Sequence, residues 1–123
     1  MFVEEAQTIL PELVALRRAL HADPETGNDL PRTQERILAA LAGLDLEITL
    51  GVKSTSVIAV LRGAEPGPAV LLRGDMDALP VSELTDLDYA STNGNMHACG
   101  HDLHVAGLVG AAKLLCAQQE DLS

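Results

Sequence analysis

At Gly43 the spacing of the apolar residues changes, and that change restricts the chain to a mixed α/β fold. Before it, Ile9, Leu10, Leu13, Val14, Leu16 and Leu20 recur every three to four residues, which predicts one face of a helix over Val3 to His21. Pro11 inside that stretch marks a kink or the true start, and Arg17 and Arg18 fall in the last turns, where cations suit the helix dipole. Ala22 to Asp29 breaks the pattern, and Pro31 opens a second helix carrying Thr33, Ile37, Leu38 and Leu41, to about Ala42. After Gly43 come three β-branched or apolar runs, Leu46 to Leu50, Ser56 to Leu61 and Ala69 to Leu72, separated by turn signals. From Gly74 to Asn95 periodicity fades into a long loop with functional content. From about Leu103 a last helix puts Val105, Leu108, Val109, Ala112, Leu115 and Cys116 on one face.

The expectation is a partial α/β layer of two helices, about three strands, an active-site loop and a final helix, forming one domain over residues 1–123. Aromatic residues make up 2% of the chain against 47% hydrophobic, so the core must be aliphatic. It is expected to include Leu13, Leu16, Leu20, Leu38, Leu41, Val57, Val60, Val70, Leu71, Leu72, Val105, Leu108 and Leu115. The formal charge of −10, without clustered Lys and Arg, argues against a nucleic-acid partner. The start lacks a basic, then apolar, export signal, and the longest apolar stretch, Val105 to Ala112, is too short for a bilayer. A cytoplasmic protein without a membrane partner is expected, with Cys99 and Cys116 reduced.

Three of the four histidines crowd into Met96-His97-Ala98-Cys99-Gly100-His101-Asp102-Leu103-His104. A thiolate and an imidazole suit zinc and its neighbours in softness, and Gly100 lets the backbone turn so that Cys99 and His101 face one point. Asp102 would cap the helix start or hold the far nitrogen of an imidazole. The plainer reading is a polar, partly buried loop, and it weighs most for His97 and His104 taken singly. In Leu72-Arg73-Gly74-Asp75-Met76-Asp77 an apolar run delivers two carboxylates at its carboxyl end, where α/β folds place active sites. Either could bind metal, orient a ligand His, or merely cap a solvated turn. Cys116 reads as core, and His21 as a helix C-cap or a substrate contact.

Three segments, Arg18-Ala19-Leu20-His21-Ala22-Asp23-Pro24-Glu25, Leu72 to Pro80 and Met96 to Asp102, in this order and spacing, resemble the amidohydrolase branch of the aminoacylase and carboxypeptidase-G-like metallopeptidases. Hippurate hydrolases, N-acyl-amino-acid amidohydrolases and indoleacetyl-amino-acid hydrolases belong to that branch. The resemblance implies the amino-terminal part of a zinc-peptidase-like catalytic domain, with an inserted domain that commonly mediates dimerisation and so a homo-oligomeric complete enzyme. It implies a divalent metal, zinc, manganese, cobalt or nickel, usually as two ions. Cys99 and His101 match metal ligands, and Asp77 matches a catalytic-site carboxylate that orients one. Asp75 stands where sister branches place a ligand His, and Asp75, His97, Asp102 and His104 are left as supporting or substrate-contacting candidates.

The activity so implied is metal-assisted hydrolysis of an N-acyl or amide bond in a small amino-acid conjugate. The family's paired glutamates, one of them the general base, cannot be mapped before Ser123, so the 123-residue chain is expected to lack substantial activity alone. The alternatives are a noncatalytic metal- or partner-binding module, and one half of a site completed by another chain.

Overall fold

A computed structural model describes residues 2–123. Helix α1 (Phe2–Ala22) continues through Pro11, so that proline does not mark the helix start. Glu4 and Glu5 in its first turn and His21 in its last suit the helix dipole. Helix α2 (Pro31–Leu41) begins with Pro31, whose missing N–H costs nothing there, but the preceding Leu30 offers no side-chain cap. Glu25 substitutes from upstream: one carboxylate oxygen accepts the Thr33 N–H at 2.6 Å and the Thr33 hydroxyl at 2.8 Å. That arrangement satisfies an orphan donor of the first turn and buries both residues.

Strands β1 (Glu47–Leu50) and β2 (Val57–Val60) form an antiparallel pair in the register Glu47↔Val60 to Leu50↔Val57. The Gly51 N–H donates to the Ser56 carbonyl at 2.9 Å to close the turn. A Cβ at Gly51 would lie 2.6 Å from the Ser54 carbonyl oxygen, so this close approach of backbone to backbone requires glycine. Helix α3 (His101–Ala117) starts two residues before the expected Leu103, directly on the motif, and is followed by a 3-10 turn at Gln119–Asp121.

Helix α3 packs chiefly on α1 and also on α2. Leu20, Ile37, Leu41, Val105 and Val109 form the buried core, with Leu13, Leu16, Leu46, Val57, Met76 and Ala112 packed against it. Leu38, Leu108 and Leu115 are half-buried. No helix of the described residues is long and apolar enough to cross a membrane.

Two expectations are corrected. The third strand does not form: 69–72 is coil, with Val70, Leu71 and Leu72 exposed by 83%, 85% and 56% rather than buried. A β-branched or apolar run supplies strand propensity, but a strand exists only where another backbone lies alongside to take its hydrogen bonds. Val60 is also exposed, because Val57 and Val60 stand an odd number of residues apart and cannot share one face of a strand. Val57 takes the face that reaches the helices, and Ile58 and Val60 turn away.

Candidate metal centre and its supporting network

Two isolated backbone pairings assemble the loop between β2 and α3. Ala78 N–H donates to the Glu25 carbonyl at 2.8 Å in a parallel bridge with Thr26. Leu79 and Met96 exchange two hydrogen bonds, of 3.0 and 2.9 Å, as an antiparallel bridge. Counting back from that bridge sets Asp77 beside the start of the His97-to-His101 segment.

His101 is the product of this placement. Its Nδ1 lies 2.8 Å from the Asp77 carbonyl oxygen and 3.1 Å from Asp77 Oδ1. Both partners are acceptors, so Nδ1 carries the proton and donates, which leaves Nε2 with its lone pair for a metal. Gly100, at φ 78°, makes the left-handed turn into α3, and its carbonyl accepts the Leu103 and His104 N–H groups at 3.1 Å each. Cys99, one residue earlier, is an exposed free thiol. Cys116 is a half-buried free thiol on α3, its pKa pushed up by burial and then by the Asp45 charge.

The other sequence candidates sit less uniformly. Asp75 is bonded to its neighbour Arg73 at 2.9 Å, and that guanidinium holds the carboxyl below its usual range. His104 is exposed, its ring 6.1 Å from that of His101 and tilted 35°. His97 is 5% exposed, and neither ring nitrogen has a hydrogen-bond partner among the described residues. Burial pushes its pKa down, and the Asp102 charge opposes this.

Asp102 does not cap α3, because its side chain turns inward and is wholly buried. Its Oδ2 accepts from Arg17 Nε at 2.9 Å and meets His21 Nδ1 at 2.8 Å, while Oδ1 has no hydrogen-bond partner among the described residues. The other face of the imidazole, Nε2, lies 2.9 and 3.0 Å from the two carboxylate oxygens of Glu83. His21 therefore bridges two carboxylates and does not cap the end of α1. Burial works to raise the Glu83 pKa, but donors from Thr85, the Ser91 N–H and His21 overcome it and hold the carboxyl at about 2. Tyr89 closes the network: Arg17 Nη1 donates to its hydroxyl at 3.0 Å, and the Arg17 and Arg18 guanidinium carbons lie 5.3 and 4.9 Å from its ring centre.

Sequence reasoning missed Glu83, Arg17 and Tyr89. Only the placement of Arg17 and His21 four residues apart, on one face of a helix, hinted at a shared partner.

Cys99 Sγ, His101 Nε2 and the Asp77 carboxylate suit a divalent cation by donor type. Among the described residues, no group of three or more His, Cys, Asp and Glu side chains is placed to hold an ion, and structural zinc uses about four ligands and catalytic zinc about three.

Residues 71–123 match the peptidase family M20/M25/M40. Over 122 residues, 98% of this chain and 32% of the relative, the sequence is 42% identical to the N-acyl-L-amino acid amidohydrolase of Geobacillus stearothermophilus. It is 43% identical to thermostable carboxypeptidase 1 of Saccharolobus solfataricus, over 90% of this chain and 29% of that protein. The fold superposes on the crystal structure of Bacillus subtilis YXEP, described as a dinuclear metal-binding peptidase of the M20 family. That match has a TM-score of 0.86 at 39% identity and covers 92% of this chain and 32% of the other. The chain thus spans about 30% of the length of the curated relatives it matches.

Proposed function

The chain belongs to the peptidase family M20/M25/M40, and from that premise we propose that it contributes one side of the metal centre of an amidohydrolase. The substrate class is an N-acyl or amide conjugate of an amino acid, the chemistry named for the relative from Geobacillus stearothermophilus. In this reading Cys99 and His101 are ligands, Asp77 fixes the His101 ring, and Asp75, His97, Asp102 and His104 support the centre or contact substrate. The observation that carries it is the His101 ring, held through Nδ1 by Asp77 at 2.8 and 3.1 Å. A histidine so held presents Nε2 in fixed orientation with its lone pair available.

A divalent ion, zinc, manganese, cobalt or nickel, would supply Lewis acidity toward the amide carbonyl and an activated water. This chain's own residues orient: Asp77 sets the His101 tautomer, and Asp102, through His21 and Arg17, ties the first turn of α3 to α1. The complete enzyme is taken to carry two ions and to be homo-oligomeric, as its family resemblance implies.

The test is titration of the purified chain with cobalt(II). A thiolate-to-cobalt absorption band is expected, lost in Cys99→Ser and weakened in His101→Ala. A band that survives Cys99→Ser removes Cys99 from the centre. On N-acetyl amino acids with added metal the chain alone is expected to show no substantial turnover. Metal-dependent hydrolysis by the 123-residue chain would overturn that expectation.

A further inference from the structure

Four side-chain nitrogen and oxygen atoms among the described residues are sealed from solvent without a hydrogen-bond partner, and three of them stand at the two ends of one turn. They are both ring nitrogens of His97 and Oδ1 of Asp102, the residues that flank Cys99 and His101. Buried polar groups in folded proteins are almost always paired, so each such atom calls for a partner. His97 is 5% exposed and Asp102 is fully buried, both by residues of this chain alone. Further polypeptide packed on the surface would reach neither atom, so the partner lies inside.

The backbone directs both side chains into the same interior. The Leu79–Met96 bridge holds the chain immediately before His97, and Gly100, at φ 78°, turns it into α3. Cys99 is left exposed on the outside of this turn, while His97 and Asp102 go under it. Among the charges acting on the His97 ring, that of Asp102 is the strongest, ahead of those of His21, His101 and Asp77. No direct bond joins the ring to Asp102 Oδ1, so whatever links them is small and bonds at both ends. Among the described residues no group of three or more His, Cys, Asp and Glu side chains is placed to hold a metal ion, which leaves water. A buried water needs at least two polar partners, and these atoms supply them.

We infer that an internal water joins a ring nitrogen of His97 to Asp102 Oδ1 and makes His97 a positioning residue for the Cys99-Gly100-His101 turn. The two oxygens of one carboxylate then serve two segments. Oδ2 holds Arg17 and His21 of α1, and Oδ1 holds the start of the turn through the water. Both ends of the stretch that carries Cys99 and His101 are thereby fixed to the same side chain, and the network of α1 extends to the whole turn. The inference goes beyond the proposed amidohydrolase reading and requires neither hydrolysis nor a bound metal, so the metal-free chain tests it.

The experiment combines nuclear magnetic resonance with urea denaturation of the purified chain in the presence of a chelator. A cross-peak between a long-lived water and the His97 ring protons is expected in the unaltered chain, and its absence would overturn the inference. His97→Leu and His97→Gln then separate hydrogen bonding from packing. An imidazole without a partner could be replaced by leucine at no cost or with a gain, because a buried unpaired polar group is removed. An imidazole that completes the bonding of the water to Asp102 could not: His97→Leu should lower the folding equilibrium constant about tenfold or more. His97→Gln keeps a polar group at the site and should stay closer to the parent, with a water cross-peak to its side-chain amide. A His97→Leu chain as stable as the parent, or a His97→Gln chain no more stable than His97→Leu, would each overturn the inference.

Discussion

His21 Nδ1 lies 2.8 Å from Asp102 Oδ2, joining the last turn of α1 to the first turn of α3 through side chains 3% and 0% exposed. With Glu83 on the other imidazole nitrogen and Arg17 on the same aspartate oxygen, the contact belongs to a closed set of two basic and two acidic side chains. It stands one residue from His101, so the ring most suited to hold a metal starts from a helix turn that is tied down by charge.

Removing His21 should therefore unfold the chain more readily than any surface change. In His21→Ala the carboxylates of Asp102 and Glu83 each lose a partner in the interior, and a broken buried pair costs about 3–5 kcal/mol. Urea denaturation at pH 7 should show that loss as a lower midpoint with an unchanged slope. A midpoint within experimental scatter of the parent would mean that the network contributes no net stability.

Acid should weaken the same network in a defined window. The Glu83 carboxyl is held at about 2 in the folded chain, below the 4.5 typical of glutamate. The unfolded chain therefore takes up the proton first. Stability from Glu83 is complete above pH 4.5 and is lost progressively as pH falls toward 2. Melting temperatures across that range should fall less steeply in Glu83→Gln than in the parent. Parallel curves would refute the assignment.

Two glycines of the last motif and helix should respond in opposite directions to alanine. Gly100 sits at φ 78°, so Gly100→Ala should destabilise by about 1–2 kcal/mol through left-handed strain. Gly107 lies inside α3, and a Cβ there would meet nothing within 4 Å, so Gly107→Ala should stabilise by up to about 1 kcal/mol. Thermal unfolding of the two variants side by side distinguishes the signs.

Asp77→Ala should weaken cobalt(II) binding by about 10–100-fold, the usual effect of losing a carboxylate that orients a ligand histidine. The fold should remain, since Asp77 is 46% exposed and its side chain hydrogen-bonds to His101, itself partly exposed. Equal affinity in parent and variant, by calorimetry, would show that the backbone carbonyl of Asp77 alone suffices to set the ring.

The sequence by itself determined what is local: the helical faces of α1 and α2, the final helix behind the His-Cys-His cluster, and the loop that carries Asp75 and Asp77. Apolar spacing and proline position encode these directly, because each depends on residues within a turn or two of one another. Tertiary structure alone decided the rest. Whether 69–72 became a strand depended on a backbone alongside it, and Val60 lost its place in the core to the face already taken by Val57. The meeting of His21 with Glu83 and Asp102 needed three distant segments to close on one point, and no spacing along a single chain records which distant charges will share an interior.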